Sequence, residues 1–370
     1  MGHSLIAPSS AGTWVNCPGS VSMQQRYPET EESQASREGT AAHWAGEQLL
    51  MGGSVTLGTE APNGVTITDE IIDSAKIYAN GVLTRYHRSM LNIECKIQVP
   101  AVHPDSEGTL DLWVFDPKEN LLIVRDYKHG FGIIEAFENW QLMNYAAGLV
   151  RGRFDAIENK LTVRFEICQP RAFHPKGPER VWQVKAVDLR PYFNTLHNAA
   201  HAALGDNPQL KTGAHCIYCS ARHACPALQR STKAILDLVL QAVPEELTPE
   251  AVASEYEILK HAADLVKYRL TGIEAQAVGL IKSGRYVPGY TLEPGQGRTV
   301  WSRPLEEIYK LGMLEGIELR KEEAITPLQA ITKGMPADSV KACSRKESGA
   351  LKLTPVTKTL AYKAFGGNKK

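Results

Sequence analysis

The 370-residue sequence has no run of eighteen apolar residues, which excludes a transmembrane helix. Its first residues, MGHSLIAPSSAGTW, lack the basic flank and long apolar core of a secretory signal, so a cytoplasmic protein with no membrane partner is expected. No charge sign is in excess: 41 Lys and Arg balance 41 Asp and Glu. A global basic field is therefore excluded, and any nucleic acid must be bound by a local cleft. No G-x-x-x-x-G-K-[ST] sequence is present, so the chain carries no P-loop motor and any helicase is a separate chain. Repeats and low-complexity tracts are lacking too. The seven cysteines are odd in number and are expected in a reducing compartment, which excludes a disulfide framework and makes clustered cysteines read as metal ligands.

What is present is an ordinary globular balance, 43% apolar and 22% charged, long enough for one large or two ordinary domains. SQASREGTAAHWAGEQLL sets Ala41, Trp44, Ala45 and Leu49 at helical spacing, with His43 on its first full turn. After Thr68 an acidic turn opens a second helix, with Ile72, Ala75, Tyr78, Val82 and Tyr86 in period. NIECKIQVP and GTLDLWVFD alternate, NLLIVRDYK is a short apolar run, and DPKEN joins the last two as a hairpin. EAFENWQLMNYAAGLVRG reads as a helix, KLTVRFEICQP and VWQVKAVDL as strands, and RPYFNTLHNAAHAAL as a helix. This order predicts an α/β domain over 1–228. Residues 229–370 read as a mainly helical extension. There Thr248 caps a helix with Pro249 at its first position. Val252, Tyr256, Leu259, Ala263, Val266, Leu270, Ile273, Ala277 and Leu280 form a heptad stripe along it. Two readings stay open for this stripe: packing on its own domain, or a homo-oligomer seam through 252–280. Gly272 and Gly279 weaken the seam. Beyond Gly284 a Gly/Pro-rich turn region and short helices, capped as at Thr326-Pro327, are expected, with a frayed GGNKK tail.

Two aspartates break the apolar strands. Adjacent antiparallel strands bring Asp111 and Asp126 side by side, and two close carboxylates repel unless a proton or a metal ion lies between them. Hard oxygen ligands suit Mg²⁺ or Mn²⁺. Lys128, two residues after Asp126, shares its face and points at whatever the metal holds. Alone, a D-x-K is more often a salt bridge. Glu94, on the preceding strand, reads as structural or peripheral. His129 points to the other strand face, and His103 lies in a loop with no role assigned. Cys216-x2-Cys219-x5-Cys225 is a ligand cluster short of one ligand. On its chemistry alone the fourth is His215, His223 or a distant cysteine, and the metal is open, Zn²⁺ included. Cys95, Cys168 and Cys343 are isolated and read as small buried hydrophobes.

The ordered set Gly39-Thr40-x-x-His43, Gly108-x-x-Asp111, Asp126-Tyr127-Lys128 and Gln141-x-x-x-Tyr145 resembles the RecB-like branch of the PD-(D/E)XK nuclease superfamily, over about residues 4 to 228. The resemblance implies a restriction-endonuclease-like core, a mixed sheet flanked by helices. It implies a Mg²⁺- or Mn²⁺-dependent deoxyribonuclease, an exonuclease at DNA ends in phage or prophage recombination, replication or repair. His43, Asp111, Asp126 and the Tyr127 backbone carbonyl would hold the metal, and Lys128 would be the catalytic lysine. Gln141 and Tyr145 would position DNA. AddB-type relatives carry one cysteine before the core and three after it on a [4Fe-4S] cluster. Cys17 with Cys216, Cys219 and Cys225 fits that pattern, with Zn²⁺ as the alternative. The competing function is a non-catalytic DNA-binding or assembly protein on a nuclease fold.

Overall fold

The computed structural model describes residues 4–28, 32–172, 174, 177–239, 248–301, 303–319, 327, 330 and 335–355. Contacts divide the chain into two units, Met1–Arg269 and Leu270–Lys370.

The first unit is built on a five-stranded sheet in the order β1 (Asn92–Gln98), β2 (Glu107–Asp116), β3 (Leu121–Tyr127), β4 (Thr162–Cys168), β5 (Glu179–Lys185). All neighbours are antiparallel except β3 and β4, which are parallel. A parallel pair needs a crossover, and α5 (Trp140–Leu149) lies in it. Two short helices, α1 (Ala11–Trp14) and α2 (Ser20–Arg26), precede α3 (Gln34–Met51) and α4 (Asp69–Leu83); α6 is Arg190–Leu204. The caps follow the sequence. Ser33 accepts from the Ser36 amide, Thr68 from Ile71 and Asn139 from Leu142, each serving a free N–H of a first turn.

Helices cover both sheet faces, which explains why the central strands read as apolar runs rather than clean alternation. One cluster joins Leu110, Leu122, Val124, Val163 and Phe165 to Leu142 and Met143 of α5 and to Phe193 and Leu196 of α6. The other joins Leu112, Tyr127 and Cys168 to Ala41 and Ala45 of α3 and Ile71, Ala75 and Tyr78 of α4. The sequence expectation of a mixed sheet flanked by helices holds strand by strand.

Helix α7 (Pro226–Val239) and the start of α8 (Pro249–Lys282) belong to the first unit. Leu265 and Tyr268 of α8 pack on Leu228 and Cys216, so the first unit runs past the 228/229 boundary read from the sequence. Thr248 caps α8 as expected, accepting from the Ala251 amide. The heptad stripe is not the face that packs here. Ala262, Leu265 and Tyr268 are buried, while Val252, Tyr256, Leu259 and Val266 of the stripe are exposed; further along, Leu270 and Ile273 are exposed and Ala277 is buried. In the second unit β6 (Tyr290–Trp301) pairs antiparallel with β7 (Ser344–Pro355), and α9 (Leu305–Leu314) and α10 (Ala337–Cys343) lie between them in the chain. This sheet corrects the turn region read there. Pro294 and Gly295 signal a turn, yet the ladder passes them with a register shift. Thr326 and the GGNKK tail lie outside the described residues. No described helix is long and apolar enough to cross a membrane.

A buried ion network spans the α4 side of the sheet. Glu166 of β4, fully buried, takes two bonds from Arg85 (2.7 and 2.8 Å), one from Arg125 (2.6 Å) and one from Arg164 (2.7 Å). Arg125, also fully buried, turns its other nitrogen to Glu179 at 2.7 Å. Burial opposes ionisation of Glu166, but the Arg85 hydrogen bonds and the Arg125 charge outweigh it and hold the carboxyl down at about 2. A carboxyl depressed in the fold stabilises it fully above the unfolded value of 4.5, and that stabilisation is lost as pH falls toward 2. Glu166→Gln is expected to cost about 3–5 kcal/mol at pH 7, because it leaves buried guanidinium charge uncompensated. In urea unfolding followed at pH 7 and pH 3, the gap between wild type and variant should narrow at the lower pH.

Candidate functional site

The site forms where two ladders stop. The β2–β3 pairing ends at Leu112 opposite Arg125, and one step further the same register would set Asp111 opposite Asp126. The β1–β2 pairing runs through Ile93–Leu112 and Cys95–Leu110 but skips Glu94 and Asp111. Glu94 stands there with φ at 46°, a left-handed conformation that costs a non-glycine residue about 1–3 kcal/mol. Three carboxylates, Glu94, Asp111 and Asp126, thus lie in one row across three strands at a break in both ladders. Instead of a ladder partner, the Tyr127 amide donates to Asp111 Oδ2 at 2.6 Å.

Helix α3 brings His43 to this row, with Nδ1 at 3.4 Å from Asp111 Oδ1. Ligand atoms of His43, Glu94 and Asp111 all lie within 4.8 Å of one another. Burial works to lower the His43 pKa, but Asp111 raises it to about 9; burial likewise works against the Asp111 charge, which His43 and Lys128 keep below the usual range. Burial, then Asp111, push Glu94 up to about 7. Asp126 is raised by burial and by Asp111 against the pull of Lys128. This pattern is excess buried negative charge short of cations, and a hard divalent ion fits the donor set.

Helix α5 organises the other end. Gln141 and Tyr145, one turn apart, face the strands together. Gln141 Nε2 donates to Asp126 Oδ1 at 2.7 Å, and Gln141 Oε1 accepts from Lys128 Nζ at 3.0 Å. Lys128 Nζ also reaches Asp126, 3.1 Å from Oδ1 and 2.9 Å from Oδ2. The contact with Oδ2 lacks hydrogen-bond geometry, so that buried oxygen has no hydrogen-bond partner and is open to a ligand. Burial opposes the Lys128 charge, but Asp126 and Asp111 outweigh it and raise its pKa. Tyr145 is buried, and its hydroxyl donates to the Thr109 carbonyl at 2.5 Å, tying α5 to the strand of Asp111. That hydroxyl is engaged within the fold, where Tyr145 positions α5 against β2. Gly108 is required here, since a Cβ would stand 2.9 Å from the Tyr145 hydroxyl and from Pro8 Cδ.

The structure therefore gathers His43, Asp111, Asp126, Lys128 and Gln141, and adds Glu94, which the sequence reading set aside; at Tyr127, where the backbone carbonyl was expected, it is the amide that meets the row, donating to Asp111. Carrying the antiparallel register across three strands would have placed Glu94 beside Asp111. His129 turns away as expected, its Nδ1 3.1 Å from Ser74 Oγ, and Ser74 in turn bonds the Tyr127 hydroxyl at 2.6 Å.

A second cluster lies apart from this row. Cys17 follows α1, and Cys216, Cys219 and Cys225 lie in and after the turns Ala214–Tyr218 and Ser220–His223. All four thiols are free, and each of Cys17, Cys216 and Cys219 is buried and feels the charge of others of the set. Burial pushes all three up, Cys219 to about 11, so without a metal they are inert thiols. No three of their sulfurs lie within 4.8 Å of one another, since among the described residues only His43, Glu94 and Asp111 form such a group. Cys168 and Cys343 are buried as expected, whereas Cys95 is half-buried.

Together these features define a three-layer α/β protein with a metal-competent carboxylate row and a separate set of four thiols. The chain belongs to the DUF2800 family, described as "Protein of unknown function (DUF2800)", which matches residues 3–344. It is also similar to a crystal structure from Eubacterium rectale described as "Putative exonuclease", with 9% identity and a TM-score of 0.35, over 66% of this chain and 90% of that one. That likeness is loose.

Removing a direct ligand should weaken metal binding by more than the about 10–100-fold typical of outer-shell partners. Glu94→Gln and Asp111→Asn are both expected to do so in Mn²⁺ titrations followed by electron paramagnetic resonance. An unchanged affinity for Glu94→Gln would return Glu94 to a peripheral role.

Proposed function

We propose that the chain is a metal-dependent deoxyribonuclease of the PD-(D/E)XK type, an ATP-independent exonuclease. The observation that carries this reading is one charged lysine fixed by Asp126 and Gln141 beside the His43–Glu94–Asp111 donor set, at the break in both ladders. A salt bridge alone would not need a third carboxylate, a histidine and an unbonded Asp126 oxygen around it.

A divalent cation held by His43, Glu94 and Asp111, with Asp126 Oδ2 as a further donor, supplies Lewis acidity toward phosphate and acidifies water. Lys128 stays protonated beside Asp126 and Asp111, so it orients the attacking water and offsets charge gathering on the phosphorane oxygens. Gln141 holds the ammonium and the Asp126 carboxylate in one fixed relation. The water oxygen bonds to phosphorus and releases a proton to solvent, the bond to the leaving sugar oxygen breaks, and that oxygen takes up a proton from solvent.

The four thiols are taken to hold a [4Fe-4S] cluster, with zinc as the alternative. Cys17 before the sheet and Cys216, Cys219 and Cys225 after it match the one-plus-three cysteine pattern of the resemblance, and four thiolates suit such a cluster. Its role in this reading is a structural staple, which predicts independence from the hydrolytic site.

Lys128→Ala should lower cleavage of end-labelled linear DNA in Mn²⁺ at least about 10²-fold, with the iron–sulfur absorbance intact. Full activity in that variant would sink the assignment. Anaerobically purified wild type should be brown, with about four iron and four sulfide per chain. A colourless protein with one zinc would replace the cluster.

A further inference from the structure

Beside the carboxylate row lies a cleft of about 430 Å³, walled by Thr40, His43, Trp44 and Glu47 of α3, by Pro62, and by Glu94 of β1. This is toward the lower end of the about 300–1,000 Å³ of small-molecule sites. Its outer wall is a hairpin over residues 58–67, closed by the Glu60–Thr66 bridge and by reciprocal bonds between Gly58, Thr59 and Ile67. Asn63 locks this hairpin to α3: its side chain donates to the Arg37 carbonyl at 2.8 Å, and Arg37 donates back to the Asn63 carbonyl at 3.3 Å. Ala61 and Ile67 anchor the hairpin in the core. The cleft is therefore preformed.

Its lining combines two chemistries. His43 and Glu94 are two of the three residues of the metal-competent group. Trp44 is half-buried, packed on the core while also lining the cleft, as does Pro62. Glu47 stands one helical turn beyond His43 on the same face and adds to the negative field on Glu94. Glu47 and Glu94 both line the cleft and disfavour a free anion, so a phosphate is held there through the cation. Trp44 is the one aromatic side chain of that lining, the group on which a flat ring carried by that phosphate can stack.

We propose that this cleft receives the terminal nucleotide of a DNA strand, with phosphate toward His43, Glu94 and Asp111 and the base stacked on Trp44. This rests on the nuclease reading and sharpens it: the substrate is a strand end with one unpaired nucleotide, and Trp44 determines that preference. Stacking is tolerant of base identity, so all four nucleotides are accepted.

Calorimetry on the full chain with Mn²⁺ and deoxyadenosine 5′- or 3′-monophosphate tests the site without turnover. Wild type should bind at least one of the two, and only with Mn²⁺ present. Trp44→Leu, which keeps apolar packing but removes the π-face, should weaken binding about 5- to 150-fold, and Trp44→Phe should restore part of it. Melting temperatures of both variants check the fold. No binding by wild type, equal binding by a folded Trp44→Leu, or binding without Mn²⁺ overturns the proposal. Cleavage of linear DNA by wild type and equally by Trp44→Leu overturns it while the nuclease reading stands. Metal-dependent nucleotide binding lost in Trp44→Leu, without any cleavage by wild type, supports the nucleotide site while the nuclease reading falls.

Discussion

Glu94, Asp111 and Asp126 are brought into one row on neighbouring strands, and much of the first unit can be read as a response to that placement. Two unit charges about 4 Å apart in a protein-like medium interact by about 4 kcal/mol, so three carboxylates cannot stay ionised together without compensation. The chain provides an amide N–H from Tyr127, an imidazole from His43 and an ammonium from Lys128. It still leaves one buried oxygen of Asp126 without a hydrogen bond. The broken ladders follow from the same constraint, since regular pairing would hold the carboxylates directly opposite one another. Helices α3 and α5 each contribute side chains that face this row.

Much of the architecture was legible in the sequence. Five strands, their hairpin, the caps at Thr68 and Thr248 and the helix carrying Gln141 all follow from alternation, helical period and turn chemistry. The hidden parts share a physical cause. Glu94 sits in an ordinary alternating strand, and only its left-handed backbone and its place opposite Asp111 reveal it. The β6–β7 sheet was hidden by Pro294 and Gly295, which break a strand locally but are carried by a bulged ladder. The face that α8 buries on the first unit did not stand out because Ala262, Leu265 and Tyr268 lie beside a longer stripe of larger side chains. Tyr145 showed its position on the helix but not that its hydroxyl would be used inside the fold.

The thiols solve a different problem. Cys17 precedes the sheet and the other three follow it, so any group that joins them ties together segments about 200 residues apart. Loop-closure entropy grows with the logarithm of loop length, so a link of that span restricts the unfolded chain strongly for one set of bonds. Lys211 donates its amide to Cys17 Sγ at 3.3 Å, and Gly19 donates to the Gln209 carbonyl at 2.9 Å, so the two segments already meet through their backbones.

Gln141 touches a cation with its oxygen and an anion with its nitrogen. A carboxylate there would add a fourth negative charge to the row, and a lysine or arginine would compete with Lys128 for Asp126. An amide of this length adds no charge and still offers each neighbour the pole it wants, in only one of its two flip orientations. The side chain is a polarity adapter. It bonds both members of the Lys128–Asp126 ion pair at once, and so fixes where that pair sits without changing its charge.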